Sequence, residues 1–243
     1  MKTLVVLHGW GVRASVFEPL REKLAAEFEV QAPVLPGYDG SATCSPYDLA
    51  TLADSIAIAA PGRCSVIGWS LGGQVALAWA QRAPEQVERL AVIGTTPCFV
   101  QRESWSCAMA PRLLLDFATG LETDAGRTLR RFSLLQAQGD SDSKNVAVAL
   151  RSALAAPPGA DAEALRGGLH ILRDSDLRTS LGTVASEALV IHGENDALVP
   201  LAAAEHLASA LPRGKLLVVP GAGHAPFISR TRAVATALQA FFA

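Results

Sequence analysis

The chain has 243 residues, half of them hydrophobic and 18% charged, which suffices for one sizeable core and falls short of two independent ones. A net charge of −2 lacks the basic excess that neutralising many phosphates demands, so a general nucleic-acid binder is excluded as an expectation. No apolar run approaches the roughly 20 residues of a membrane span, so a membrane role is not expected either.

Short apolar runs bounded by Gly, Pro and Asp alternate with helical stretches, the pattern of a mostly parallel sheet covered on both faces. In chain order the expected strands are Thr3 to Leu7, Glu29 to Val34, Ser65 to Trp69, Arg89 to Ile93, Leu189 to His192 and Leu216 to Val219. Among the helices expected between and after them are Val16 to Phe28, Leu71 to Arg82, Ala202 to Leu211 and Ser229 to Phe242. From Pro97 to about Asp174 no strand-like run occurs, and helical patterns such as Ala125 to Gln138 and Asn145 to Ala155 take over. The α/β core is therefore assigned to residues 1–97 and 175–243, with a helical cap inserted at 98–174. The one linker-like stretch, Ala155-Ala156-Pro157-Pro158-Gly159, is read as a connection between cap helices. Lys2 is followed by only Leu4 to Leu7 before His8 and Gly9, too short for the core of a secretory signal. Cys44, Cys64, Cys98 and Cys107 show no paired spacing, so neither zinc nor a disulfide framework is expected. Together these features favour a cytoplasmic setting.

Gly68-Trp69-Ser70-Leu71-Gly72 is a G-x-S-x-G segment, and its value lies in its context. It follows an apolar strand and opens a helix, the setting in which a serine occupies a sharp turn and small neighbours let other backbone approach. A serine hydroxyl is a poor nucleophile at neutral pH, so a histidine base and an orienting acid are required. Of the five histidines, His224 lies in the loop after the last strand and is the best base. Asp196 lies in the loop after the preceding strand and is the best acid, with Glu194, Asp174 and Asp176 as rivals. His8 and His192, at strand ends, read as structural, and His170 and His206 as incidental. No H-x-x-x-H or similar cluster points to a metal. An oxyanion needs two N–H donors; Leu71, just after the serine, offers one, and the backbone of Trp10 in His8-Gly9-Trp10-Gly11 offers the second.

These segments resemble a known family. His8-Gly9-Trp10-Gly11, Leu35-Pro36-Gly37, Gly68-Trp69-Ser70-Leu71-Gly72-Gly73 and His224-Ala225-Pro226-Phe227-Ile228-Ser229 are similar to the BioH-type carboxylesterases of biotin synthesis, in the α/β-hydrolase superfamily. Thr96-Pro97-Cys98-Phe99, Arg127 to Phe132, Leu134-Leu135-Gln136 and the stretch from Gly167 to Arg178 carry the resemblance into the insertion. The resemblance implies an α/β-hydrolase fold and hydrolysis of the methyl ester of pimeloyl-acyl-carrier protein, releasing methanol. It implies Ser70 as nucleophile, Asp196 as acid, His224 as base, and Trp10 and Leu71 as oxyanion donors. Phe132, Ser133, Leu134, Leu135 and Gln136 resemble the cap stretch that lines the acyl chain. The chain starts directly at the first parallel strand, so a shorter sheet edge is expected, and Val148 stands where the family carries a basic residue that contacts the partner.

The sequence thus predicts a cytoplasmic serine carboxylester hydrolase, with no cofactor and no metal, expected as a monomer. Between Arg127 and Arg151 five cations face two acids, Asp140 and Asp142, a local charge of +3. Arg127, Arg131, Lys144 and Arg151 are the candidate contacts for the acidic carrier protein. Another esterase, thioesterase or carbon–carbon hydrolase is the nearest alternative, and a non-catalytic ligand receptor on the same fold is a further one. A serine at position 70 disfavours dehalogenase chemistry, which needs a carboxylate there.

Overall fold

The computed structural model describes residues 1–155 and 159–243; most of the linker-like stretch, residues 156–158, lies outside them. Six strands, β1 (Lys2–Leu7), β2 (Phe28–Gln31), β3 (Cys64–Trp69), β4 (Val87–Ile93), β5 (Glu187–Gly193) and β6 (Gly214–Val219), form one parallel sheet in the order β2-β1-β3-β4-β5-β6. Strand side chains alternate between faces. Val5, Leu7, Val66, Leu90, Val92 and Val190 therefore join one hydrophobic cluster, and Leu4, Val6, Ile67, Ala91, Ile93 and Ile191 the other.

The helices are α1 (Glu18–Leu24), α2 (Leu49–Ala59), α3 (Leu71–Arg82), α4 (Pro111–Thr123), α5 (Ala125–Ala137), α6 (Ser143–Ser152), α7 (Ala162–Asp174), α8 (Leu201–Ala210), α9 (Pro226–Ser229) and α10 (Thr231–Phe242). Leu52, Ile56 and Leu207 bring α2 and α8 to the first cluster, beside α3. Leu20, Leu24, Val234 and Leu238 bring α1 and α10 to the second. Helices α4 to α7 all fall between β4 and β5. Backbone bonds stitch this insertion to the loops after β1 and β2: Arg13 N–H to Ala153 O at 2.7 Å, Ala155 N–H to Gly11 O at 2.9 Å and Asp161 N–H to Gly37 O at 2.8 Å. No described helix is long and apolar enough to cross a membrane.

Strands β4, β5 and β6 each begin two residues earlier than expected, at Val87, Glu187 and Gly214, and three further differences concern β2, α1 and α10. Strand β2 stops at Gln31 rather than Val34, because Pro33 has no N–H for a ladder. The helix expected over Val16 to Phe28 is a 3₁₀ turn, Ala14–Phe17, followed by α1; Pro19 suits only a first turn and restarts the helix. The last helix is broken at Arg230, whose φ of −129° and ψ of 40° separate α9 from α10.

Strand β1 lies between β2 and β3, so the chain reverses its direction of travel across the sheet there. Loops leaving the carboxyl ends of β1 and β3 diverge at such a point and leave a crevice between them. Trp10 follows β1 and Ser70 follows β3.

Candidate active site

Ser70 sits at the junction of β3 and α3 with φ 55° and ψ −119°. Positive φ in a residue with a Cβ stores about 1–3 kcal/mol of strain, which the surroundings must hold. They do so through small residues. A Cβ on Gly68 would run into the Gly72 backbone, and one on Gly72 into the carbonyls of Leu7 and His8. The Ser70 N–H donates to Ile93 O at 2.9 Å and its carbonyl accepts from Gly73 N–H at 3.0 Å. The positive end of α3 is thereby aimed at the serine.

Asp196 and His224 meet in the loops after β5 and β6. The imidazole Nδ1 lies 2.8 Å from Asp196 Oδ2, while Oδ1 accepts the backbone N–H groups of Leu198 and Val199, each at 2.9 Å. Burial pushes the Asp196 carboxyl up, but the facing His224, the nearby His192 and the Val199 N–H outweigh it and hold it below the usual carboxylate range. A carboxylate so held fixes the tautomer with hydrogen on Nδ1 and leaves Nε2 as the basic atom. His224 Nε2 is buried and has no partner among the described residues, so no hydrogen bond yet joins it to Ser70. Catalytic hydrogen bonds of unliganded sites often close only with substrate.

Three further groups seat His224. Trp69 Nε1 donates to the His224 carbonyl at 2.9 Å. Gly94, with φ 53°, passes so close that a Cβ would stand 2.7 Å from that carbonyl and 3.2 Å from Nδ1. His192, buried, donates from Nε2 to Val199 O at 2.9 Å and lies 3.5 Å from Asp196 Oδ2; burial lowers its pKa. None of these was singled out as a site residue in the sequence; the tryptophan inside the G-x-S-x-G segment was the available signal.

The rival acids are engaged elsewhere. Glu194 accepts the Gly221 N–H at 2.9 Å, Asp174 pairs with Arg173 at 2.8 Å and Asp176 with Arg178 at 2.7 Å. His8 accepts the Leu35 N–H on Nε2 at 3.1 Å and donates from Nδ1 to Gly9 O at 2.9 Å. It is neutral and structural, its pKa lowered to about 4 by burial. His170 and His206 are exposed.

The loop after β1 lies directly on the serine turn: a Cβ on Gly9 would be 3.3 Å from Ser70 Cβ. Leu71 is the first residue of α3, so its N–H has no acceptor within the helix. The indole of Trp10 is fully buried. It donates to Leu165 O of α7 at 2.8 Å and meets Phe132 of α5 edge-on, 4.9 Å between centroids. Trp10 thus joins the sheet to the insertion as well as carrying a candidate N–H.

The run Phe132 to Gln136 does not act as a block. An α-helix turns 100° per residue, so Phe132, Ser133 and Gln136 face inward while Leu134 is 56% exposed and Leu135 half-buried. Leu134 instead borders an outer hollow with Lys144, Val148 and Arg151, which corrects its expected place in the acyl channel. Gln136 is fully buried, and neither its Nε2 nor its Oε1 has a partner among the described residues. Arg127, Arg130, Arg131, Lys144 and Arg151 are exposed on α5 and α6. Arg131 also lies over the Phe117 ring, 5.1 Å from its centroid. Among the described residues no group of three or more His, Cys, Asp or Glu could hold a metal ion.

A family model described as the alpha/beta hydrolase family matches residues 4–237. The chain belongs to that family. Within it, the chain is 41% identical over 226 residues to a protein of Nitrosomonas europaea named pimeloyl-[acyl-carrier protein] methyl ester esterase, covering 93% of this chain and 90% of the relative. A protein of Aromatoleum aromaticum with the same name is 41% identical over 241 residues, covering 97% and 96%. Among solved alpha/beta hydrolase-like structures, an esterase from Exiguobacterium antarcticum superposes with a TM-score of 0.87 at 23% identity, over 99% of this chain and 91% of that one. The fold is thereby shared well beyond close sequence relatives.

Proposed function

We propose that this protein is a serine carboxylester hydrolase that converts the methyl ester of pimeloyl-acyl-carrier protein to pimeloyl-acyl-carrier protein and methanol, a step of biotin synthesis. Support comes above all from its relatives of that name, 41% identical over nine-tenths or more of both chains. In this reading Ser70 Oγ attacks the ester carbonyl as His224 Nε2 takes its proton, and the oxyanion receives the backbone N–H groups of Trp10 and Leu71. His224 then hands the proton to the departing methoxide. Water, deprotonated by the same imidazole, releases the acid from Ser70. Asp196 holds the ring and stabilises the imidazolium. No step needs a cofactor.

In the same reading residues 98–174 act as a cap over the crevice, and Trp10, Phe132, Ser133 and Gln136 border the acyl chain. The exposed Arg127, Arg131, Lys144 and Arg151 form the rim to which an acidic carrier docks, with Leu134 and Val148 as an apolar strip between. Val148 in place of a basic residue makes that contact partly hydrophobic. The four free cysteines suit a reducing cytoplasm. The test is incubation of purified protein with the methyl ester of pimeloyl-acyl-carrier protein, read by mass spectrometry. Loss of the methyl group, absent with Ser70→Ala, is expected; an intact ester would refute the substrate while leaving esterase chemistry to be tested on small esters.

A further inference from the structure

The turn joining α5 to α6 reaches across to the loop that carries His224. Asp140 in that turn is 5% exposed. Its Oδ1 accepts the Asp142 N–H at 2.8 Å, and its Oδ2 accepts both the Gly223 N–H at 2.8 Å and the Ser229 hydroxyl at 2.7 Å. Gly223 immediately precedes His224 and Ser229 ends α9, so the two Oδ2 bonds bracket the base. Neighbouring contacts reinforce them. The Ser141 N–H donates to Gly221 O at 3.0 Å, and Arg230 donates to Ser141 Oγ at 2.6 Å. Gly139, with φ 85°, packs so tightly on the Asn195 carbonyl that no Cβ fits there. One turn therefore touches the loops of both His224 and Asp196.

A buried carboxylate is tolerated only when its oxygens are filled, and charge-assisted bonds of this kind are short and directional. We propose that Asp140 is a positioning residue for ester hydrolysis: it anchors the segment Gly221 to Ser229 so that the imidazole keeps its alignment between Asp196 and Ser70. The inference rests on His224 being the base. Asp140 itself contacts none of the reacting groups, so its loss should act on turnover rather than on substrate binding. Asp140→Asn can keep one oxygen at the Oδ2 position, serving Gly223 and Ser229, and gives up only the local bond to Asp142. Asp140→Ala gives up all three.

The test is kcat and KM on p-nitrophenyl butyrate, normalised to folded protein by near-ultraviolet circular dichroism. Misalignment of a base by a fraction of an ångström predicts about a tenfold fall in kcat for Asp140→Ala, KM within about twofold, and Asp140→Asn within about threefold of the parent in both. If the alanine variant does not fold, Asp140→Ser, too short to reach both donors, carries the same expectation. An alanine or serine variant with unchanged kcat, an asparagine variant as impaired as alanine, or a KM that rises with the fall in kcat would overturn the role. His224→Gln assayed alongside separates the two failures: activity retained there removes the base assignment and the inference with it. Activity lost there, with the alanine variant unimpaired, removes the anchoring role alone.

Discussion

Gln136 illustrates how a residue proposed to bind substrate can oppose stability. Its amide is fully buried, with neither polar atom partnered among the described residues, and an unmade hydrogen bond inside a protein costs more than a made one returns. Gln136→Leu is nearly isosteric and removes that cost, so it should stabilise the fold by about 1 kcal/mol in denaturant unfolding. It should also raise KM for the carrier-bound ester if the amide meets the substrate. A gain in stability with no change in KM would make the amide idle. His8 sets a different dependence. Its pKa is lowered to about 4 in the folded protein against 6.5 for the free side chain, so between those values the unfolded chain binds a proton that the folded one does not. Stability should therefore fall as pH drops from about 6.5 to about 4, by on the order of 3 kcal/mol from this group. Asp196, held low, adds its share further down: its stabilisation is present above the unfolded value of 3.8 and fades as pH falls through the lower folded one. Urea titrations across this range should show a shallower slope for His8→Gln; an unchanged slope would assign the acid sensitivity elsewhere.

At the scale of elements, legibility followed periodicity. Helix α3 and the strands on either side of it could be read to within two residues, because β3 is a short run of small and apolar residues and glycines mark the turn. Where a proline or a single non-helical residue intervenes, periodicity alone misleads, as at Pro33, Pro19 and Arg230. Asp140 was legible only as one acid among cap cations, since nothing in a single sequence tells a solvated carboxylate from one that caps a distant loop. Likewise Leu134 falls in a promising run, but the helix carries it outward to the α5–α6 surface. That surface gives the element-scale prediction. Arg127→Glu with Arg131→Glu should lower kcat/KM for the carrier-bound ester and weaken its salt dependence, because rim charges act on encounter and are screened by ions. Hydrolysis of p-nitrophenyl butyrate should be nearly unchanged. Equal losses on both substrates would make these arginines structural, and no loss on either would move the carrier elsewhere.

Across the whole molecule, residues 70, 196 and 224 all lie in loops at the carboxyl edge of one parallel sheet, with Asp196 against His224, and the loop after β1 lies against the Ser70 turn. The order of the sheet accounts for this: the reversal at β1 marks the switch point, and the loops after β5 and β6 carry Asp196 and His224 to the same edge. That placement followed from strand order and motif position, whereas the contacts between insertion and core did not, because backbone and side-chain groups far apart in sequence make them. The central claim is that Ser70 is the nucleophile, and its most direct measurement is kcat of Ser70→Ala on p-nitrophenyl butyrate. Alanine removes one hydroxyl, leaves little cavity and keeps the fold, so the melting temperature should hardly move while kcat falls by about 10⁴-fold or more. A folded Ser70→Ala protein that keeps more than about a tenth of the parent rate would place the nucleophile elsewhere and contradict the account.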